Sequence, residues 1–288
     1  MPVSQKGAQR ASGHRTLRLL ASLAIAAAFA TTGAAARPAA AATPVMKVVI
    51  VVGPVGSATA GYISSAKKLA TQARSYGATV IELYSPHATW ARVRNAAQGA
   101  NLLIYLGHGN GYPSPYGAFS AKSKDGMGLN TYDGSSSHTY YGEYYIDRDI
   151  QLAKNAVVIL NRLCYASGNN EWGSGYPSAS TAKQRVDNYG AGFLRANAQA
   201  VFAEGIDSTS YILYGLFKTD RTMRQIFWSD PARDGRWDFS FPSSRTTGFR
   251  AEMDPLSGSN RYYRSVIGNL DLKATKWREV IGVVSTGR

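Results

Sequence analysis

Short apolar runs alternate with amphipathic stretches from residue 47 onward. Five runs rich in aliphatic and β-branched residues predict buried strands, at residues 47–53, 78–84, 101–107, 156–163 and 200–203. Helical spacing of apolar residues predicts helices at about 62–76, 85–98, 181–197 and 208–228. Strands that alternate with helices form sheets covered on both faces. The pattern therefore predicts an α/β fold, with a mostly parallel sheet and helices on both faces.

Cap and turn residues set the expected element boundaries. Ser85 and Pro86 are typical of a helix cap and first turn, so the second helix should begin there. The Gly- and Tyr-rich stretch from Asn110 to about Glu143 predicts a long loop. Beyond Asp230 the pattern weakens, apart from a late strand predicted at 279–284. After the leader we therefore expect an α/β domain at residues 43–230. A C-terminal extension at residues 231–288 should pack on the same domain.

The amino-terminal segment has the pattern of a secretory signal peptide. Three arginines precede an apolar run over residues 19–30, which is too short to span a bilayer. Ala40 and Ala42 then supply the small residues that signal peptidase requires. We expect a signal peptide at residues 1–42 and a secreted protein that begins at Thr43. The later sequence predicts no transmembrane anchor.

Charge and composition narrow the range of partners. The net charge is +14, of which five positive charges lie within the predicted signal peptide, leaving +9. A basic surface favours anionic partners, and an anionic cell-wall polymer is a candidate. Nucleic acid is not predicted, because the basic residues are scattered and no nucleic-acid-binding motif occurs. His87 and His138 have no second ligand at metal spacing and suggest surface roles, so neither a metal nor a cofactor is predicted.

The candidate chemistry lies at the ends of two predicted strands. Strand 101–107 is followed by His108, and strand 156–163 is followed by Cys164, the one cysteine of the chain. Adjacent strand ends lie about 5 Å apart, so the two side chains can meet across a cleft. An imidazole there would lower the pKa of the thiol and protonate a leaving group. A buried inert thiol and an intermolecular disulfide remain the alternatives.

These residues resemble a known group of enzymes. An apolar strand ending in His108 and Gly109, followed about fifty residues later by one ending in Cys164, is similar to the caspase, gingipain and clostripain clan of cysteine peptidases. The resemblance covers about residues 47–207 and includes bacterial caspase-like domains. It implies a caspase-like three-layer sandwich, with His108 as general base and acid, Cys164 as nucleophile, and the amide of Gly109 as oxyanion donor; the position of Cys164 at a strand end makes its own amide a second candidate donor. Leu163 departs from the clan, which usually has a smaller residue before its cysteine.

The function expected from this resemblance is that of a secreted cysteine peptidase acting on a peptide or protein. A pocket for Arg or Lys could use one of four acidic residues, Glu143, Asp147, Glu171 or Asp207. One alternative is a non-catalytic cell-surface or cell-wall-binding module on the same scaffold, since fold does not determine function. Another is a wall hydrolase that cuts amides with the same Cys and His.

Overall fold

An eight-stranded sheet runs through the part of the chain that the computed structural model describes, residues 45–256 and 261–279. A separate two-stranded hairpin lies beside it. The ten strands are β1 (Lys47–Val52), β2 (Thr79–Tyr84), β3 (Leu102–Leu106), β4 (Met127–Asn130), β5 (His138–Tyr141), β6 (Ala156–Asn161), β7 (Ala198–Glu204), β8 (Phe239–Pro242), β9 (Arg250–Met253) and β10 (Arg264–Gly268).

The large sheet has the strand order β2-β1-β3-β6-β7-β10-β9-β8. The first five strands in this order are parallel to one another, and the last three continue the sheet in antiparallel pairs. The apolar runs of β1, β3 and β6 are buried at almost every position, as expected for strands covered on both faces.

Seven helices in the described ranges cover the two faces of the sheet. One hydrophobic core contains buried residues of α1, α5, α6 and α7, and the other contains those of α2, α3 and α4. The α/β class and the mostly parallel sheet between helices are therefore confirmed. The helices are α1 (Thr59–Ser75), α2 (Trp90–Ala97), α3 (Glu143–Asp149), α4 (Ala179–Arg195), α5 (Ser210–Lys218), α6 (Met223–Phe227) and α7 (Ala274–Arg278).

The expected start of the second helix is wrong. The amide of Ser85 donates to Val52 O at 2.8 Å, so the chain still follows the parallel ladder at the residue that was expected to cap a helix. A turn through Pro86 follows, and α2 begins after Thr89, whose backbone is extended. The ladder hydrogen bond outweighs the local preference of the Ser-Pro pair for a helix start.

The expected single helix over 208–228 is also wrong, because it is divided into α5 and α6. Between them the chain is extended at Thr219 and Thr222. Thr222 and Gln225 form a reciprocal capping box that starts α6. The amide of Met223 donates to Leu272 O at 3.0 Å, so a contact distant in sequence holds this break.

Two segments expected to lack regular structure contain strands. The stretch from 110 to 143 includes the β4–β5 hairpin, and residues 231–279 supply β8, β9 and β10 to the main sheet. These strands are only four or five residues long, which gives a weak periodic signal. The predicted signal peptide and the strand at 279–284 lie outside the described residues, apart from Glu279, which follows α7. Of the helices described, none has the length and apolar character needed to cross a membrane.

Candidate active site

His108 and Cys164 follow neighbouring strands of the sheet. β3 and β6 are parallel and paired, with Leu106 opposite Asn161 at their carboxyl ends. His108 comes two residues after this pair on one strand and Cys164 three residues after it on the other. The expected adjacency of the two strands is confirmed, and both residues leave the sheet at the edge where ligands bind in parallel α/β folds.

The backbones of Gly109 and Cys164 are in direct contact. A Cβ added to Gly109 would overlap the carbonyl oxygen of Cys164 and would lie 2.9 Å from its amide nitrogen. Only glycine permits this approach, so the close contact explains why Gly109 follows His108.

The backbone around Cys164 has an uncommon conformation. Arg162 and Tyr165, which flank the Leu163–Cys164 pair, both have positive φ, at 63° and 71°. Such angles are rare for residues other than glycine and concentrate at functional sites. The amide of Arg162 donates to Glu204 O at 2.7 Å, and that of Ala166 to Cys164 O at 2.9 Å. These hydrogen bonds stabilise the sharp turn that contains Cys164.

Two backbone amides at the site have no partner within the described chain. Neither the Gly109 amide nor the Cys164 amide donates a hydrogen bond to another described residue. The two residues are in backbone contact, since a Cβ at Gly109 would lie 2.9 Å from the Cys164 amide nitrogen. Paired free N–H groups next to a nucleophile are the arrangement that binds an oxyanion.

The protonation states at the site differ from the sequence-based expectation. Burial raises the pKa of the Cys164 thiol, and Glu171 adds to this, while the Trp172 amide that hydrogen-bonds to the sulfur opposes it. Partial burial and the neighbouring His138 lower the pKa of His108, while Glu171 opposes this.

Both directions favour the uncharged forms at neutral pH, a neutral thiol and a neutral imidazole. The expectation that His108 lowers the pKa of Cys164 is wrong here, because desolvation dominates. The neutral imidazole is nevertheless in the form that can accept the proton of a thiol. Hydrogen bonds of this kind are often absent without substrate and form when it binds.

His138 is the site residue that sequence analysis missed. It is exposed, as expected, but its ring also packs on that of His108, with the ring centroids 4.7 Å apart. No local signal could reveal this, because the two residues are thirty positions apart and meet only through the β4–β5 hairpin.

A cavity of about 270 Å³ opens beside Cys164. Its lining includes Arg162 and four large side chains, those of Tyr62, Trp172, Ile206 and Tyr263. The Arg162 side chain lies near the Tyr62 ring, 5.8 Å from its centroid, and its buried Nε has no hydrogen-bond partner. None of the described residues that line this cavity is acidic.

A second cavity, of about 420 Å³, adjoins the first and shares Asn169, Asn170, Trp172 and Tyr263 with it. Its wall is formed by residues 169–176 and 261–263. The Trp172 side chain is 88% exposed, so its ring is available to a bound molecule. Together the two cavities form a cleft that leads away from the thiol.

The four acidic residues considered for a substrate pocket are in different places. Glu143 is buried in ion pairs with Arg245 and Arg195, and Asp147 also pairs with Arg195, so both belong to the α3–α4 contact. Glu171 lies at the site, where its carboxylate accepts a hydrogen bond from Tyr116 at 2.7 Å and acts on both His108 and Cys164.

Asp207, the last of the four, follows β7, and its carbonyl oxygen accepts from Asn161 Nδ2 at 2.9 Å. It does not line the cavity beside the thiol. Of the four acidic residues, only Glu171 lines the cleft, and it does so in the second cavity and not in the cavity directly beside Cys164.

In the two described ranges, no three His, Cys, Asp or Glu side chains form a group that could hold a metal ion.

Comparison with known proteins found no matching protein-family profile and no matching curated protein for this chain.

Proposed function

We propose that this protein is a cysteine peptidase of the caspase type, in which Cys164 is the nucleophile and His108 the general base and acid. The observation that carries the proposal is the contact of Gly109 with the backbone of Cys164, the only cysteine of the chain, where neither residue's amide donates a hydrogen bond to another described residue. A buried structural cysteine would not require paired unbonded donors next to it. The resemblance of the His-Gly and Cys strand ends to the caspase, gingipain and clostripain clan supports the same function.

In the proposed reaction, His108 takes the proton of Cys164 as the sulfur attacks the carbonyl carbon of the peptide bond. The amides of Gly109 and Cys164 donate hydrogen bonds to the resulting oxyanion. The C–N bond then breaks, the amine leaves with the proton from His108, and a thioester remains on the sulfur. Water, deprotonated by His108, hydrolyses the thioester to a carboxylic acid and the free thiol.

The substrate side chain next to the cleaved bond is proposed to carry a carboxylate. Arg162 lines the cavity beside Cys164, and its cationic guanidinium lies 5.8 Å from the centroid of the Tyr62 ring. A substrate carboxylate that pairs with this guanidinium would form a charge-assisted hydrogen bond. Tyr62 and Trp172 would surround the aliphatic part of that side chain.

Replacing Cys164 by alanine tests the proposed function. The wild-type protein is expected to cleave members of a mixed peptide library, and Cys164→Ala should reduce this by about 10⁴-fold or more, since no nucleophile remains. Mass spectrometry of the products measures both. The variant should unfold at the same temperature as the wild type, which serves as the folding control. Equal cleavage by the two proteins would refute the assignment of Cys164.

Replacing Arg162 by methionine tests the choice of substrate. We expect kcat/KM for peptides with Asp or Glu before the cleaved bond to fall by about 100-fold, the cost of losing a charged hydrogen bond of roughly 3 kcal/mol. Peptides with Leu at that position should be affected much less. Arg236→Met, at an exposed arginine paired with Asp234, is the matched control. A wild-type preference for Arg or Lys at that position would contradict the proposal.

A second candidate function is a non-catalytic binding module, which the almost fully exposed Trp172 favours. Rings exposed at a cleft commonly serve recognition. If the wild-type protein cleaves no peptide, even after limited proteolysis to release any inactive precursor, and instead binds an anionic wall polymer, this function replaces the peptidase.

We further propose that the protein is exported, on the basis of the signal-peptide pattern in residues 1–42. The basic charge of the remaining chain then suits an anionic surface outside the cell.

A further inference from the structure

The β4–β5 hairpin lies in the chain between His108 and α3. Its two strands pair antiparallel, with Gly128 opposite Tyr140 and Asn130 opposite His138. The hairpin is not part of the main sheet, and its position depends on side-chain contacts together with a backbone hydrogen bond from the Asn130 amide to Ala88 O at 3.0 Å.

Tyr105 joins β4 to the backbone of His108. This fully buried side chain lies on β3, and its hydroxyl is 3.0 Å from the carbonyl oxygens of both His108 and Gly128. The same hydroxyl accepts a hydrogen bond from the Gly128 amide at 2.8 Å. One buried group therefore couples the strand end that bears His108 to the hairpin.

Tyr140 makes the corresponding connection on β5. Its hydroxyl accepts a hydrogen bond from the Asn110 amide at 2.7 Å and donates to Gly126 O at 2.9 Å. It also hydrogen-bonds to Tyr189 of α4. The hairpin is thus attached to the chain on both sides of His108, through residues 105 and 110.

These attachments bring the two imidazoles together. The His138 ring lies on the His108 ring at an interplanar angle of 35° and a centroid distance of 4.7 Å. A Cβ added to Gly128 would come within 3.4 Å of both His108 Cβ and His138 Cδ2, so glycine leaves the space beside both side chains. The glycine at position 128 of the hairpin therefore leaves room for the two rings to approach each other.

We propose that His138 is a positioning residue for the proposed reaction: its ring holds the imidazole of His108 in a fixed orientation and disfavours a positive charge on it. The inference rests on the proposed function. Two charged or titratable groups act on His108, His138 from β5 and Glu171 from the loop after β6, and Cys164 lies in that same loop. Partial burial and His138 lower the pKa of His108, and Glu171 opposes them. His108 thus remains a proton acceptor at neutral pH.

NMR titration of the histidine C2 protons tests the pairing without any need for activity. We compare the wild type with His138→Gln and His138→Phe, and identify the His108 signal by its loss in His108→Gln. In both His138 variants the titration midpoint of His108 should move to higher pH, because the positive neighbour is gone. His87→Gln is the matched control, since His87 is another exposed histidine but pairs with Asp133 at 2.9 Å, and it should leave His108 unchanged.

The pH profile of kcat/KM distinguishes the effect of the His138 charge from the effect of the His138 ring. The acid limb should move to higher pH in both variants, since both lack the charge. On the alkaline plateau, His138→Phe should stay within about twofold of the wild type, whereas His138→Gln should fall by about tenfold, because only phenylalanine retains a ring against His108.

An unchanged His108 titration in both variants overturns the inference. The inference is also overturned if the enzyme is active and its pH profile of kcat/KM has the same acid limb and the same plateau in the wild type and in both variants. If the wild type cleaves no peptide, the proposed function fails, while the titration still decides whether His138 controls the His108 imidazole. Failure of the inference and failure of the function are therefore distinguishable.

Discussion

Gly109→Ala is expected to lower kcat/KM by about 100-fold or more. The added methyl group would overlap the carbonyl oxygen of Cys164 and approach its amide nitrogen, and both are backbone atoms that cannot rotate away. The ends of β3 and β6 must then separate, which moves the thiol and both oxyanion donors out of alignment. Displacement of reacting groups by about 1 Å is enough for a loss of this size.

Gly61→Ala is the matched control, because a Cβ at Gly61 in α1 would meet nothing within 4 Å. This variant should keep full activity and gain about 0.5–1 kcal/mol of stability, as alanine is favoured over glycine in helices. Thermal unfolding followed by circular dichroism shows whether Gly109→Ala keeps its fold. A folded Gly109→Ala protein with wild-type kcat/KM would remove Gly109 from the proposed site.

The second large effect is expected at a buried charge cluster beyond the end of β7. Arg264 is fully buried, with its Nε 3.3 Å from Glu204 and 3.1 Å from Asp230, and it hydrogen-bonds to Asp254. The Tyr211 hydroxyl donates to Glu204. One guanidinium thus contacts three carboxyl groups that have almost no contact with water, and its single charge can balance only one ionised carboxylate.

Arg264→Met should lower the free energy of unfolding by about 3–5 kcal/mol, since it leaves buried carboxylates without their cation. Urea denaturation measures this loss. Arg236→Met, at an exposed arginine, should leave the unfolding midpoint unchanged and serves as the control.

The loss of unfolding free energy caused by Arg264→Met should grow as the pH rises. Burial raises the pKa of Glu204 to about 8, with Arg264 and Tyr211 opposing the shift. Between the ordinary value of 4.5 and about 8, the folded state holds a proton that the unfolded state releases, so stability falls as pH rises through this window. Removing Arg264 raises this pKa further and extends the window upward. An equal loss at pH 6 and pH 8.5 would contradict this account.

The strands next to the site could be predicted because their signal is local. Residues 48–52, 102–106 and 156–160 are continuous apolar runs, and such runs in an α/β pattern form strands buried on both faces. His108 and Cys164 follow the last two of these runs within two to four residues, so both could be placed at the same edge of the sheet. The antiparallel strands β8 to β10 gave no such signal, because they are short and β8 alternates between half-buried and exposed residues.

The features that depend on contacts between distant residues could not be predicted. His138 reaches His108 through contacts of the hairpin with distant residues, among them the hydrogen bonds of Tyr105 and Tyr140 at the end of β3. The position of Arg162 beside the thiol follows from a positive φ that nothing in its neighbours along the chain indicates.

By itself, the sequence determined the α/β class, the alternation of strands and helices, and the pair of residues that follows two of the strands. Buried positions recur at regular intervals along a strand or helix, and these intervals can be seen in the order of apolar and polar residues. Only the tertiary structure decided the protonation states and the neighbours of that pair. Desolvation of Cys164 and the approach of His138 and Glu171 depend on the atoms that surround each group in space, which residues distant in the chain supply.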